Sequence, residues 1–528
     1  MAGAGELTRD EARSVGMLVA VTAREDPDRL ALISRHGDRS FAELNANANR
    51  LVRTLRARGL ERGDSIALIC ANRPEFAEVH QASARGGFRI TCINWHLQAA
   101  EIAYIIQNCE ARAVIGDARF AGPIGEACRP SASGAPSARL RLAIAGEIEG
   151  FEAYAAALDA DGSDIEDPGL GSTMLYTSGT TGRPKGVYRR RTPAVSGLGL
   201  QIGQVFQPDG AAERSLCTGP LYHAAPLAFS LAMPLNAGVG IVLMDGWEEE
   251  ETLRLIEQHK VSNSHMVATM FQRLLALPDE IRGKYDLGSL AFVLHGAAPT
   301  PVHVKKAIID WFGPVVYEYY AATEGGGCFI DSEQWLRKPG SVGRPSPGQV
   351  LQVRDEGGSE VPRGTFGTVY FKAPDVGRFE YFKDEEKTSG AYSGDFFTLG
   401  DQGYMDEDDY VFLTGRTSEL IISGGVNIYP AEVDAVLIMH DAVADAATVG
   451  IPNEEWGEEV RAVVQLAAGV EPTEALKDEL VQFTREHLAH YKCPRAVDFD
   501  AELPRHETGK IYRRLVRDRY WADREKKI

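Results

Sequence analysis

The residues best suited to chemistry lie in one stretch, Met174-Leu-Tyr-Thr-Ser-Gly-Thr-Thr-Gly-Arg-Pro-Lys-Gly186. Four hydroxyl residues, Thr177, Ser178, Thr180 and Thr181, interleave with Gly179, Gly182 and Gly186, and Lys185 sits among them. Glycines let backbone N–H groups come close to an anion, and hydroxyls add donors. The lysine adds a mobile positive charge. Together they point to a phosphate cradle. The spacing is not that of the Walker loop, GxxxxGK[ST].

Other segments offer complementary groups. Glu318-Tyr-Tyr-Ala-Ala-Thr323-Glu324 sets aromatics, a hydroxyl and a carboxylate just beyond the apolar run at Val315-Val316. In a parallel sheet, ligands gather at the carboxyl ends of strands. Core tyrosines beside a solvated Glu are the plain alternative. Gly400-Asp401 offers a carboxylate suited to a ribose diol, although a turn or N-cap Asp is commoner. Gly415-Arg416 could equally make an interdomain ion pair. Leu503-Pro-Arg-His-Glu-Thr-Gly509-Lys510 ends in a lysine after a glycine turn, where a solvated surface lysine is the ordinary outcome.

Positioning these groups requires an α/β framework. Ser40-Phe-Ala-Glu43 has capping-box spacing, and Leu44, Ala48, Leu51, Val52 and Leu55 recur at helical intervals up to Gly59. Short apolar runs at Ile66–Cys70, Ala113–Ile115, Gly240–Met244, Ala291–Leu294 and Val315–Tyr317 read as buried strands, with helical stretches such as Glu248–His259 between them. That rhythm predicts an α/β fold with mostly parallel strands. Near residue 340 glycine and proline punctuate short alternating segments such as Thr368–Phe371, predicting a compact β-rich region. Asp406-Glu-Asp-Asp409 reads as a solvated hairpin turn, since its spacing does not fit a calcium loop. A boundary falls around Gly415–Gly425. Beyond it come a helix start at Pro430, a strand near Ala446–Ile451 and a helix carrying Leu476, Leu480, Phe483 and Leu488, enough for a small α+β domain.

Composition narrows the partners. The 528 residues carry 56 Lys+Arg against 75 Asp+Glu, a formal net charge of -19. Nucleic acid is therefore disfavoured as a partner, because its binders need a basic footprint. Small anionic ligands stay open, since a local basic cluster can dominate a cleft. Seven dispersed Cys read as reduced, buried thiols rather than a disulfide or zinc framework. No apolar run is long enough for a transmembrane segment, and Met1–Arg13 does not read as a signal peptide. A cytoplasmic location is the expectation. A homodimer stays open, since no pattern sets oligomeric state.

The ordered set Tyr176…Gly186, Tyr320…Thr323-Glu324, Leu399-Gly-Asp401, Gly415-Arg416, Ser423-Gly-Gly-Val-Asn-Ile-Tyr-Pro430 and Leu503-Pro…Thr508-Gly-Lys510 resembles the adenylate-forming superfamily of acyl-CoA synthetases, luciferases and peptide-synthetase adenylation domains. The resemblance spans essentially the whole chain. It implies a large multi-subdomain N-terminal α/β domain with a β-rich region (1–417) and a small mobile α+β C-terminal domain (418–528). It also implies the activity. A small-molecule carboxylic acid is joined to ATP as acyl-AMP with release of pyrophosphate, and the acyl group then passes to coenzyme A.

By the same resemblance, Thr177 to Lys185 cradle the β- and γ-phosphates, Thr323 meets a phosphate oxygen and Glu324 holds Mg²⁺. Tyr320 stacks on adenine beside Gly296-Ala297-Ala298, while Asp401 and Arg416 grip the ribose. Lys510 bridges the attacking carboxylate and the α-phosphate during adenylation. Ser418 falls at the hinge position, where relatives often carry Asp or Lys. Ser423, Gly424 and Gly425 line the path of the thiol arm. His223 matches the gate at the carboxylate end of the acyl pocket, with a core histidine as the alternative. The pocket itself draws on Tyr222, His223, Met266, Met270, Ala297, Tyr319, Ala321, Gly325 and Gly326. Ala321, where family members usually have Gly, narrows the channel by a methyl group. Gly325-Gly326-Gly327 leaves room farther along. No Asp or Arg stands out to bind an amino group or second carboxylate, so a medium- or long-chain fatty acid, or a steroid side-chain or aryl acid, is expected. Two other functions share these motifs: an acyl-AMP ligase that loads a carrier protein, and a lapsed nucleotide- or acyl-binding sensor. The sensor is expected to lose Lys510 or Glu324, and both are present.

Overall fold

The computed structural model describes residues 7–129, 138–177, 184–190, 196–206, 213–298, 300–416, 419–423, 426–453, 456–505 and 511–522. The first helix of consequence, Phe41–Ala57, starts where the capping box predicts. Ser40 Oγ accepts from the Glu43 backbone N–H at 3.2 Å, and Glu43 Oε2 accepts from that of Ser40 at 2.8 Å. Its apolar face carries Phe41, Leu44, Leu51 and Leu55, all fully buried. Each such side chain contributes about 2 kcal/mol of burial.

That helix and Pro74–Gly86 pack beside an all-parallel six-stranded sheet in the order Glu152–Ala153, Leu140–Ile144, Ala111–Asp117, Ser65–Ile69, Arg89–Cys92, Ser172–Thr173. Its central strand, Ser65–Ile69, is buried along its whole length, as a strand covered on both faces must be. A second, nine-stranded sheet runs Arg344–Pro345, Gly325–Ile330, Val316–Ala322, Phe292–His295, Asn263–Met266, Arg214–Cys217, Gly240–Leu243, Leu30–Ser34, Arg39–Ser40. Its strands from Val316–Ala322 to Leu30–Ser34 are parallel, and antiparallel pairs form at both edges.

The β-rich region is a five-stranded antiparallel sheet. In it Asp406 sits in the hairpin turn between Phe396–Met405 and Val411–Arg416, accepting from the backbones of Asp408 and Tyr410. A three-stranded antiparallel sheet joins Leu175–Thr177, Lys185–Tyr188 and Glu380–Tyr381. After Arg416 the chain enters a separate sheet. There Ile421–Ser423, Val426–Ile428, Val443–Asn453, Gly457–Leu466 and Ala496–Phe499 pair under the helices Pro430–Leu437 and Glu474–His487. All seven cysteines are free and buried, and burial pushes the Cys217 thiol up to about 12. Among the described residues no helix is long and apolar enough to cross a membrane.

Candidate active site

The strands Leu175–Thr177 and Lys185–Tyr188 pair antiparallel, with Thr177 opposite Lys185 and Tyr176 opposite Gly186. A Cβ on Gly186 would lie 3.0 Å from the Tyr176 ring, so the close approach of the two strands depends on glycine. Ser178, Gly179, Thr180, Thr181 and Gly182 lie outside the described residues. Thr177 and Lys185 bound that segment.

From Lys185 a short chain of contacts leads to Glu324. Lys185 Nζ stands 4.9 Å from the centre of the Tyr381 ring, and the Tyr381 hydroxyl donates to Glu324 Oε1 at 2.9 Å. Burial, and then the charge of Lys387, lower the Lys185 pKa. Arg189 follows the lysine-bearing strand and donates to the carbonyls of Thr323 at 3.1 Å and Glu324 at 2.7 Å. Thr323 and Glu324, in the turn after Val316–Ala322, are thereby tied to the strand that leaves the glycine–hydroxyl segment. Sequence reasoning did not single out Arg189 or Tyr381. The run Arg189-Arg190-Arg191 was the available signal for the first; nothing local marks the second.

Glu324 suits Mg²⁺, which binds through one or two carboxylates and fills its shell with phosphates and water. Tyr381 engages one of its carboxylate oxygens, and the other has no hydrogen-bond partner among the described residues. No group of three or more His, Cys, Asp or Glu that could hold a metal occurs among the described residues. The donor set thus fits an ion carried in with a phosphate ligand.

Tyr319 and Tyr320 point to opposite faces of their strand, as alternation requires. The Tyr320 hydroxyl donates to Asp401 Oδ2 at 2.7 Å, and its ring lies 5.4 Å from Phe371. Asp401 is buried and pairs across the ladder with Arg416, whose side chain lies outside the described residues. Gly296, which opens the turn Gly296–Ala298, lies against Tyr319. A Cβ on Gly296 would fall 2.6 Å from Tyr319 Cε1 and 2.7 Å from its carbonyl oxygen. Ala297 adopts φ 69°, a left-handed conformation that costs a non-glycine residue about 1 kcal/mol.

On the other face, Tyr319 packs with Leu198, Ile202, Phe206 and Ala321, and its hydroxyl lies 3.1 Å from His265 Nε2. Met266 and Met270 do not join this group. Met266 follows His265 and so faces the opposite side of the sheet, and it packs in a separate core with Met270 of the helix Ala268–Leu275, Phe271, Leu274 and Val293. The expected room at Gly325-Gly326-Gly327 is also corrected. Added Cβ atoms would meet Phe397 at 3.3 Å, Phe371 at 2.9 Å and Leu198 at 3.1 Å. Those glycines let neighbouring side chains pack directly on the strand backbone, so the space is already filled. His223 is partly buried, and its Nε2 is enclosed without a hydrogen-bond partner among the described residues, as is the Tyr222 hydroxyl. Burial pushes the His223 pKa down to about 4 and keeps the ring neutral near pH 7.

In the C-terminal region, Ser423 ends the strand Ile421–Ser423 and pairs with Gly457. Ser418, Gly424, Gly425 and Lys510 lie outside the described residues.

Comparison with known proteins gives a consistent set of matches. The family model described as AMP-binding enzyme matches residues 19–379, and that of the AMP-binding enzyme C-terminal domain matches residues 432–510. The fatty acid–[acyl-carrier-protein] ligase ScoC of Streptomyces coeruleorubidus is 30% identical over 96% of this chain and 96% of its own length. The 2-succinylbenzoate–CoA ligase of Bacillus licheniformis is 32% identical over 92% of this chain and 96% of its own. Among solved structures, ATP-bound MatB from Rhodopseudomonas palustris superposes with a TM-score of 0.81 at 28% identity, covering 96% of this chain and 99% of that one.

Proposed function

The chain belongs to the AMP-binding enzyme family, and on that premise we propose that it is an AMP-forming acid–thiol ligase acting on an apolar carboxylic acid. The contact chain Lys185–Tyr381–Glu324, braced by Arg189, is the observation that carries this reading. It joins a cation at the end of a glycine–hydroxyl segment to a carboxylate able to share a metal with phosphates. In the first half-reaction, a substrate carboxylate oxygen attacks the α-phosphorus of ATP. The bond to the bridging oxygen breaks, and pyrophosphate leaves. Two anions must meet, so fixed positive charge has to offset their repulsion. Lys185 serves the β- and γ-phosphates, with Thr177 and Ser178 to Gly182 as donors. Lys510 bridges the incoming carboxylate and the α-phosphate. Glu324 would hold Mg²⁺, which supplies further neutralisation of the phosphates. Tyr320 meets adenine while Asp401 and Arg416 hold the ribose.

In the second half-reaction, the thiol sulfur attacks the acyl carbon and AMP leaves. We assign Ser423, Gly424 and Gly425 to the thiol arm, and the segment around Ser418 to the hinge between a body of residues 1–417 and a cap of 418–528. A neutral His223 at the carboxylate end suits an anionic substrate that must shed water there. The apolar surroundings of Tyr319 favour a hydrophobic acid, fatty or aryl. Coenzyme A is the preferred acceptor. An acyl-carrier protein is the second reading, favoured by the similarity to ScoC. Pyrophosphate release across acids from acetate to C18, aryl and steroid acids, with and without coenzyme A, tests the assignment. Acid-dependent release with thioester formation is expected. No turnover with any acid would refute it, and thioester formation only on a carrier protein would transfer the assignment to the loading enzyme.

A further inference from the structure

Behind the nucleotide-facing residues lies a buried charged cluster that the mechanism above does not use. Lys305, on the helix Val302–Phe312, reaches Glu318 of the strand Val316–Ala322, with Nζ 2.5 Å from Oε2. The Lys305 side chain is 0% exposed and that of Glu318 8%. His295, also fully buried, is the direct ladder neighbour of Glu318. Its Nε2 stands 3.7 Å from Glu318 Oε2, beyond hydrogen-bond range, and finds no partner among the described residues. Nδ1 lies 3.4 Å from Thr300 Oγ1. Trp335 closes over Lys305 at 4.8 Å, and Phe271 meets His295 edge-on at 5.2 Å.

Stability alone does not account for such a cluster. Burial raises the Glu318 pKa and lowers that of Lys305, while their mutual attraction opposes both shifts. Replacing a buried ion pair by uncharged groups of similar shape is often neutral or stabilising. What the pair does determine is geometry. His295 immediately precedes the Gly296–Ala298 turn, and Glu318 stands two residues before Tyr320 on the same face of its strand. The helix bearing Lys305 follows that turn through Pro301. One ammonium therefore ties together the segment after the turn and the strand carrying Tyr320.

We propose that Lys305, Glu318 and His295 form a positioning cluster that sets the spacing between the Gly296–Ala298 turn and Tyr320, and thereby governs affinity for ATP rather than use of the acid or thiol. This rests on the nucleotide reading of the site. None of the three touches substrate; they act through the turn and the tyrosine. The unpartnered His295 Nε2 gives the cluster its adjustable member, since a shift of a few tenths of an ångström brings it within range of the Glu318 carboxylate.

The test is the full chain carrying Lys305→Met and Glu318→Gln together, which removes both charges and keeps the side-chain shapes. Its melting temperature is expected at or above that of the parent. The KM for ATP, and the Kd for ATP from calorimetry without acid, should rise about tenfold. The kcat at saturating ATP and the KM for the acid should stay within about twofold. A folded double variant with parental KM and Kd for ATP overturns the proposal, as does a loss confined to kcat. Should the double variant not fold, Glu318→Gln alone decides: Lys305 keeps a hydrogen-bond acceptor there, and ATP affinity should still fall about threefold. Parental affinity in that variant is likewise fatal. A parent enzyme that binds no ATP in the same titration defeats the nucleotide reading itself, and this proposal with it.

Discussion

Glu324 shows how much of the site hangs on single atoms. One carboxylate oxygen is committed to Tyr381, and the backbone carbonyl is committed to Arg189. The residue is thus held at both its side chain and its backbone, and its other carboxylate oxygen has no hydrogen-bond partner among the described residues. Glu324→Gln keeps an oxygen for Tyr381 but removes the charge a divalent cation requires. Acid-dependent pyrophosphate release should fall about a hundredfold or more, with a higher Mg²⁺ requirement. Initial rates over a Mg²⁺ series check this, and a rate within a few-fold of the parent would remove Glu324 from the metal-holding role. The glycine–hydroxyl segment, Thr323 and Glu324 could be picked out from residue type alone. Arg189 and Tyr381 could not, because their roles come from partners 134 and 57 residues away in sequence.

The alternation of the strand Val316–Ala322 divides its side chains between two tasks. Tyr320 with Glu318 faces one side, Tyr319 with Ala321 the other, and Gly296 is seated against the Tyr319 backbone and ring. Gly296→Ala would drive a Cβ into Tyr319, where neither the ring nor the carbonyl oxygen can retreat without moving the strand. A loss of about 1–3 kcal/mol in unfolding free energy is expected, together with weaker ATP binding. Urea unfolding and an ATP titration measure the two effects, and a Gly296→Ala variant that is as stable and binds as well as the parent contradicts the packing described. The strands themselves were legible as short apolar runs. Which side chains share a face of the sheet was not, and the structure places Met266 and Met270 in a core separate from that of Tyr319. Counting glycines as free space fails for a related reason: the length of Gly325-Gly326-Gly327 says nothing of Phe371, Phe397 and Leu198, which come from elsewhere to fill it.

Taken whole, the molecule keeps several imidazoles in its interior. Burial pushes His80, His223 and His265 each down to about 4, and holds His295 well below its ordinary value with help from the Lys305 charge. Free histidines in the unfolded chain titrate near 6.5. Between about 6.5 and 4 the unfolded chain therefore binds protons that the native state refuses, so stability rises with pH across that window and is lost as pH falls. A fully buried ring such as His265 contributes about 3 kcal/mol of this loss at its acid limit. The melting temperature should drop steadily from pH 7 to pH 5, before most carboxylates titrate, and His265→Gln should flatten the slope. A melting temperature constant over that range would contradict the burial of these rings. Net charge acts differently. The excess of -19 disfavours nucleic acid, yet the ligands proposed for this chain are anionic, so local charge, with Lys185 as the proposed phosphate-facing cation, has to outweigh the total.

Family, α/β class and the ordered motifs were already written in the amino-acid order, since these depend on residue type, local spacing and periodicity. Backbone hydrogen bonding and capping are satisfied within a few residues, so Ser40-Phe-Ala-Glu43 could announce its helix without knowledge of anything distant. Which groups meet was settled by folding. The bracing of Glu324 by Arg189 and Tyr381, the partition of Tyr319 from Tyr320 and the burial of Lys305 against Glu318 all join segments distant along the chain or separated by the pleat of a strand. Close packing sets those contacts, and it responds to the shape of every neighbour at once.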